Sequence, residues 1–204
     1  MPLSSTSWQT ARVDRPVRVI ANDLSYSDNV LTIRRADPDV DLEGFLSGTD
    51  DAQIDWLWDP GQREAWEALS TDAQREHQRG HLASIRESFG PGPKWCFVAV
   101  TAAGYAVYVD CDLNNSNVPE GEANISYTCH PRFRGLGYAS RAVRLASRFL
   151  SENELTSRAH IIVHPDNVTS LRVAHAVGAV EVERFVDSHG RPMIRHILEV
   201  PPKA

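Results

Sequence analysis

One eleven-residue turn constrains this chain more than any other stretch: Cys129-His130-Pro131-Arg132-Phe133-Arg134-Gly135-Leu136-Gly137-Tyr138-Ala139. Strand-like alternation at 123–128 precedes it, and a run with helical period at 140–150 follows it. The glycines let the backbone come close to a ligand, and the unbonded N–H groups of the helix's first turn point at it. The helix dipole adds positive potential at the same place. The turn is therefore predicted to cradle an anion such as a phosphate.

The surrounding pattern places this turn within an α/β chain. Val30 to Arg35 alternates like a strand, and Asp37-Pro38 reads as a helix start. Ser70-Thr71-Asp72 caps a helix to about Ser88, with an apolar stripe of Leu69, Leu82, Ile85 and Phe89. Gly90-Pro91-Gly92-Pro93 breaks the chain. A hairpin at 95–100 and 105–113 and a third strand at 122–129 lead to the turn. The helix at 138–151 carries Ala142, Leu145, Ala146 and Phe149 on one face. Arg141, Arg144 and Arg148 lie on the other, either reaching a phosphate or forming a solvated basic face. A strand at 159–164, a helix from Asn167 to about Val177 ended by Gly178, and a terminal hairpin at 179–186 and 193–200 complete the order. The expectation is one α/β layered domain with a mixed sheet over residues 30–200. The polar segment 1–29, broken by Pro2 and Pro16, reads as an N-terminal arm in which 17–20 can form a short strand.

Charge is uneven. Residues 37–67 hold ten acids and one arginine, a net of −9, against −6 for all 204 residues. Trp56, Trp58 and Trp66 are interleaved with these acids. Either the segment is a solvated helical face with its tryptophans in the core, or it is an acidic, aromatic-lined mouth that attracts a cation. In the second case Asp55, Trp56, Trp58 and Asp59 are the candidate substrate contacts. The negative total argues against a nucleic-acid partner. No apolar run is long enough for a membrane helix, and the start has no signal-peptide core. Cys96, Cys111 and Cys129 are odd in number and read as free buried thiols, so a cytoplasmic location is expected. His77 and His81 share a helix face but have no evident third ligand, and no metal is expected.

With these elements in this order, the chain resembles the GNAT superfamily of acetyl-CoA-dependent N-acetyltransferases. The family signature, Gln/Arg-x-x-Gly-x-Gly/Ala, fits in two registers: Arg132-x-x-Gly135-x-Gly137 and Arg134-x-x-Gly137-x-Ala139. His130-Pro131 and Arg134-Gly135 favour the second. Asn167-x-x-Ser170-x-x-Val173-Ala174-x-x-x-Gly178 resembles the family helix that packs beside the pantetheine, in the form seen among ribosomal-protein N-terminal acetyltransferases. The resemblance implies a mixed, mostly antiparallel central sheet of about 6–7 strands flanked by helices. It implies acetyl-CoA as cosubstrate, held by the backbone of Tyr127, Thr128 and Cys129, by residues 134–139 (Arg134, Gly135, Leu136, Gly137, Tyr138 and Ala139), and by Asn167 and Ser170. Family precedent allows a homodimer.

The implied reaction is direct attack of an amine on the thioester, with the Cys129 N–H as the natural oxyanion donor. The family's general-acid Tyr is replaced by Ala174, leaving Ser170 or water. The subgroup's strand Glu is replaced by Asn124, leaving Glu122, Asp110 and Asp112 as candidate bases. Covalent catalysis by Cys129 lacks a positioned base. The acidic segment favours a small-molecule amine acceptor, with an aminoglycoside-type antibiotic, and hence resistance by acetylation, as the first candidate. A protein N-terminal amine and a non-catalytic acetyl-CoA sensor are the alternatives.

Overall fold

Apolar alternation becomes eight strands in the computed structural model, which describes residues 24–57, 61–88 and 93–203. They are β1 Ser25–Ser27, β2 Thr32–Arg35, β3 Lys94–Thr101, β4 Gly104–Asp112, β5 Ala123–Cys129, β6 Arg158–Val163, β7 Val180–Val186 and β8 Pro192–Glu199. The helices are α1 Pro38–Gly48, α2 Asp51–Leu57, α3 Gln62–Glu67, α4 Thr71–Ser88, α5 Tyr138–Glu152 and α6 Val168–Val177. One sheet runs β1-β2-β3-β4-β5-β6-β8-β7. Its neighbours are antiparallel except for β5 and β6, which are parallel.

Helices pack on both faces of the sheet, leaving the edge strand β7 exposed. Ile125, Val107 and Ile161 pack with Val143, Ala146 and Phe149 of α5 and Ala174 of α6. On the opposite face Cys96 and Val98 pack with Leu42 of α1 and Leu82 and Ile85 of α4. Close approach of α1 depends on Gly44, where a Cβ would stand 2.5 Å from the Tyr105 Cβ.

Two features depart from the expected layout. The sheet has one strand more than expected and begins before residue 30, because Ser25–Ser27 pairs with Thr32–Arg34. Asp28 Oδ1 accepts from the N–H groups of Val30 and Leu31, which closes the turn between them. Tyr26 is buried edge-on against Phe149. The acidic region is also three helices rather than one. Thr49 leaves the helical conformation after α1, and Asp50 accepts from Gln53 N–H to start α2. Gly61 precedes α3 at φ 88°. The segment 17–20, Trp58, Asp59 and Phe89 lie outside the described residues.

Candidate active site

The site is built around a gap in the sheet. β5 and β6 pair at two positions, Ala123 with Ala159 and Asn124 with His160, and then diverge. His130 N–H donates to Ala106 O at 2.9 Å, which makes Cys129 and Val107 a non-hydrogen-bonded pair. By alternation, the N–H and C=O of Tyr127 and Cys129 face away from β4 and into the gap. Thr128 instead exchanges its backbone bonds with Tyr108. Of the three residues expected to hold an extended ligand, Tyr127 and Cys129 turn their backbones to the gap and Thr128 does not.

The gap opens into a cleft of about 190 Å³ lined from both sheet faces. Asp55 and Trp56 of α2 and His164 border one side, Asn167 and Ser170 of α6 the other, and Arg191 and Met193 close the end. Asn167 caps α6 by accepting from Ser170 N–H at 3.0 Å. The Tyr127 hydroxyl donates to Ser170 O at 3.2 Å, and burial pushes its pKa up to about 12. Ala174 is fully buried under α6, where its small side chain lets the helix sit close to the sheet.

The glycine turn beside this gap has an open helix end. Gly135 and Gly137 both have φ 77°, a conformation that costs any L-residue with a Cβ. Gly137 precedes α5 with no side-chain cap, and the first turn of α5 carries no acid. The N–H groups of Gly137, Tyr138 and Ala139 are thus left for an anion, with Leu136 exposed at the rim.

The Arg134 side chain is engaged within the chain. Its guanidinium makes two 2.7 Å bonds to Asp50, its Nε donates to Cys129 O at 3.2 Å, and its N–H donates to Pro131 O. Gln53 also donates to Cys129 O, at 3.1 Å. Arg134 is therefore a fastener that holds the start of α2 against the end of β5, and its charge holds the Asp50 carboxyl below the usual range. His130 fastens α1 in the same way: Nδ1 accepts from Arg132 N–H, so Nε2 donates to Ser47 Oγ at 3.2 Å, and Ser47 donates to Glu43 O. The α5 arginines are also engaged: Arg141 with Asp28, Arg144 with Ala176 O, and Arg148 with Glu152.

The candidate acids are dispersed. Glu122 is tied to His160 Nε2 and, at 3.0 Å, to Arg158. Asp112 accepts from Asn114 N–H at 2.8 Å and closes the turn after β4. Asp110 is buried beside Lys94, at 3.5 Å. Asp55 borders the cleft but is paired with Arg63 at 2.6 Å, and Trp56 lies against His164 with ring centroids 5.2 Å apart and planes inclined at 39°. His77 and His81 lie against Trp66 and Phe45. Among the described residues no cluster of three or more potential metal ligands occurs. The Cys129 thiol is pushed up to about 11 by burial, which makes it a poor nucleophile.

Sequence reasoning passed over Asp50, Gln53, Ser126 and His164. The N-cap pattern Asp50-x-x-Gln53 was a local signal for a helix start, but its partners lie more than seventy residues away. His164 stands at the strand's end just before Asn167, where its place beside the cleft could have been inferred.

The acetyltransferase (GNAT) domain family matches residues 31–180. The chain belongs to this family. It is accordingly an acetyl-CoA-dependent N-acetyltransferase, and the divergent strands, glycine turn and open α5 terminus fit an extended diphosphate ligand. No curated protein sequence matches it. Among solved structures, a GNAT-family acetyltransferase from Bacillus anthracis is 16% identical, covering 86% of this chain and 98% of its own, with a TM-score of 0.67. The ribosomal-protein-S5-alanine acetyltransferase of Vibrio fischeri is 17% identical, covering 87% and 97%, with a TM-score of 0.68. Mycobacterium smegmatis RimJ, in complex with CoA-disulfide, is 17% identical, covering 84% and 82%, with a TM-score of 0.67. At such identities the likeness is one of fold.

Proposed function

We propose that this GNAT acetyltransferase moves the acetyl group of acetyl-CoA to the α-amine at a polypeptide N-terminus. The observation that carries this is the fate of the acidic segment. Asp41, Glu43 and Asp50 are each paired with an arginine of the same chain, and Asp51, Asp55 and Glu67 share Arg63. A polycationic antibiotic needs open acids, and Asp55 at the cleft is already engaged. A single α-amine needs fewer. Its pKa of about 8 also leaves part of it neutral at pH 7, unlike a lysine ε-amine near 10.4. Fold relatives that act on ribosomal proteins support the same choice over an aminoglycoside.

In this reading the backbones of Tyr127 and Cys129 hold the acyl arm, and the N–H groups around Gly137, Tyr138 and Ala139 hold the pyrophosphate. Cys129 N–H faces the developing oxyanion, Ser170 stands beside the leaving sulfur, and Trp56 borders the acceptor. A thiol-release assay with acetyl-CoA tests the proposal against peptides with free or blocked α-amines, aminoglycosides and polyamines. Release is expected with free α-amines, with the acetyl group mapped to the N-terminus by mass spectrometry. Turnover of aminoglycosides or polyamines, with none of peptides, would overturn it.

A further inference from the structure

Three buried polar atoms on the α4-facing side of the sheet have no hydrogen-bond partner among the described residues: Asp110 Oδ1, Asn124 Oδ1 and His160 Nδ1. They lie on adjoining strands. Asn124 is paired with Asp112 on one side and His160 on the other, and Asp110 is paired with Ser126 two residues along. Such orphans are costly when nothing satisfies them, and a group of them marks a place for bound water or proton exchange.

One of these atoms connects with the cleft. Ser126 is partly exposed and lines the cleft, and it is the cross-strand partner of Asp110, so the two side chains share one face of the sheet, where Ser126 lowers the Asp110 pKa. It sits between Ile125 and Tyr127, whose backbones face the gap. Glu122 lacks this access, being held by Arg158 and His160, and Asp112 is used by its own turn.

We propose that Ser126 receives the proton of the incoming ammonium and passes its own hydroxyl proton to Asp110. Ser126 is then the catalytic residue that touches the acceptor, and Asp110 is the positioning residue that orients its hydroxyl and takes up charge. The proposal rests on the reading above that the acceptor enters this cleft as an amine. An ammonium N–H bond breaks, the proton joins Ser126 Oγ, and the former hydroxyl proton joins the Asp110 carboxylate. The neutral amine then forms the N–C bond as the thioester C–S bond breaks. The second nitrogen proton goes to the leaving sulfur, and Asp110 returns its proton to solvent through Ser126. Burial raises the affinity of Asp110 for that proton, while Lys94 opposes it. Lys94 and Cys96 from β3, Tyr108 and Asp112 from β4, and His81 of α4, which faces Lys94, complete the titratable surroundings.

The test is the pH dependence of kcat/KM with acetyl-CoA and a peptide bearing a free α-amine. Ser126→Ala is expected to lose about 10²-fold at pH 7, with acetyl-CoA affinity by calorimetry unchanged. The deficit shrinks above the amine's own pKa of about 8, where the acceptor arrives neutral. Ser126→Thr restores most of the rate, and Asp110→Asn reproduces the pH-dependent deficit. If Asp110→Asn does not fold, the two Ser126 variants decide. A deficit equal at every pH, or wild-type rates in Ser126→Ala, overturns the relay. A pH profile displaced by Glu122→Gln but not by Ser126→Ala overturns it as well. If no peptide reacts but another amine does, the acceptor class is overturned, and the same variants decide the relay on that amine. Absence of turnover with any amine overturns both.

Discussion

Arg134 illustrates how a signature residue can serve structure. Two parallel bonds to Asp50 match the planar guanidinium to the carboxylate, which a lysine cannot reproduce. Both groups are about one-third exposed, so solvent screens the pair. Arg134→Lys is expected to cost about 1 kcal/mol, seen as a lower urea midpoint, and to raise KM for the acceptor by loosening α2 and Trp56. Acetyl-CoA affinity by calorimetry is expected to hold. Weaker acetyl-CoA binding at unchanged stability would return Arg134 to the phosphates.

Among the elements, the turn into α5 carries the clearest local information. Gly137 has open space around its missing Cβ, so substitution there strains the backbone rather than the packing. Gly137→Ala is expected to cost about 1 kcal/mol and to weaken acetyl-CoA binding in the same titration, because the strain reorients the N–H groups at the helix start. Binding as tight as wild type would show that these amides are not used. This turn and the Asn167 cap were legible in sequence because each is decided within a few residues. The Asp50–Arg134 clamp was not, since its partners are 84 residues apart. Neither was β1, whose three residues are too short to show alternation. The gap between β5 and β6 escaped for another reason: both strands read as ordinary apolar runs, and only their register shows where pairing stops. The paired state of the acids was hidden too, because charge counting treats each as free.

At the scale of the whole molecule, pH acts through histidines. Burial of His196 and partial desolvation of His81 and His130 lower their pKa values from about 6.5. The unfolded chain therefore binds more protons than the folded one just below that value, and stability falls as pH drops through it. Asp50 and Asp28, whose pKa values are lowered in the fold, add a further loss below about pH 4. Asp110, raised by burial, works in the opposite sense. The urea midpoint is expected to be lower at pH 5.5 than at pH 7.5, either side of the ordinary histidine value of about 6.5. An equal or higher midpoint at pH 5.5 would show that other groups dominate.

The brief pairing of β5 with β6 has a mechanical consequence as well. The sheet amounts to two leaves, β1 to β5 and β6 with β8 and β7, whose strands pair at only two positions and which are otherwise joined by side chains and by the contact of α5 with α6. Load across the sheet concentrates on that seam. In the proposed reading an acyl donor laid along it is a splint that bridges the leaves between the strands where backbone pairing stops.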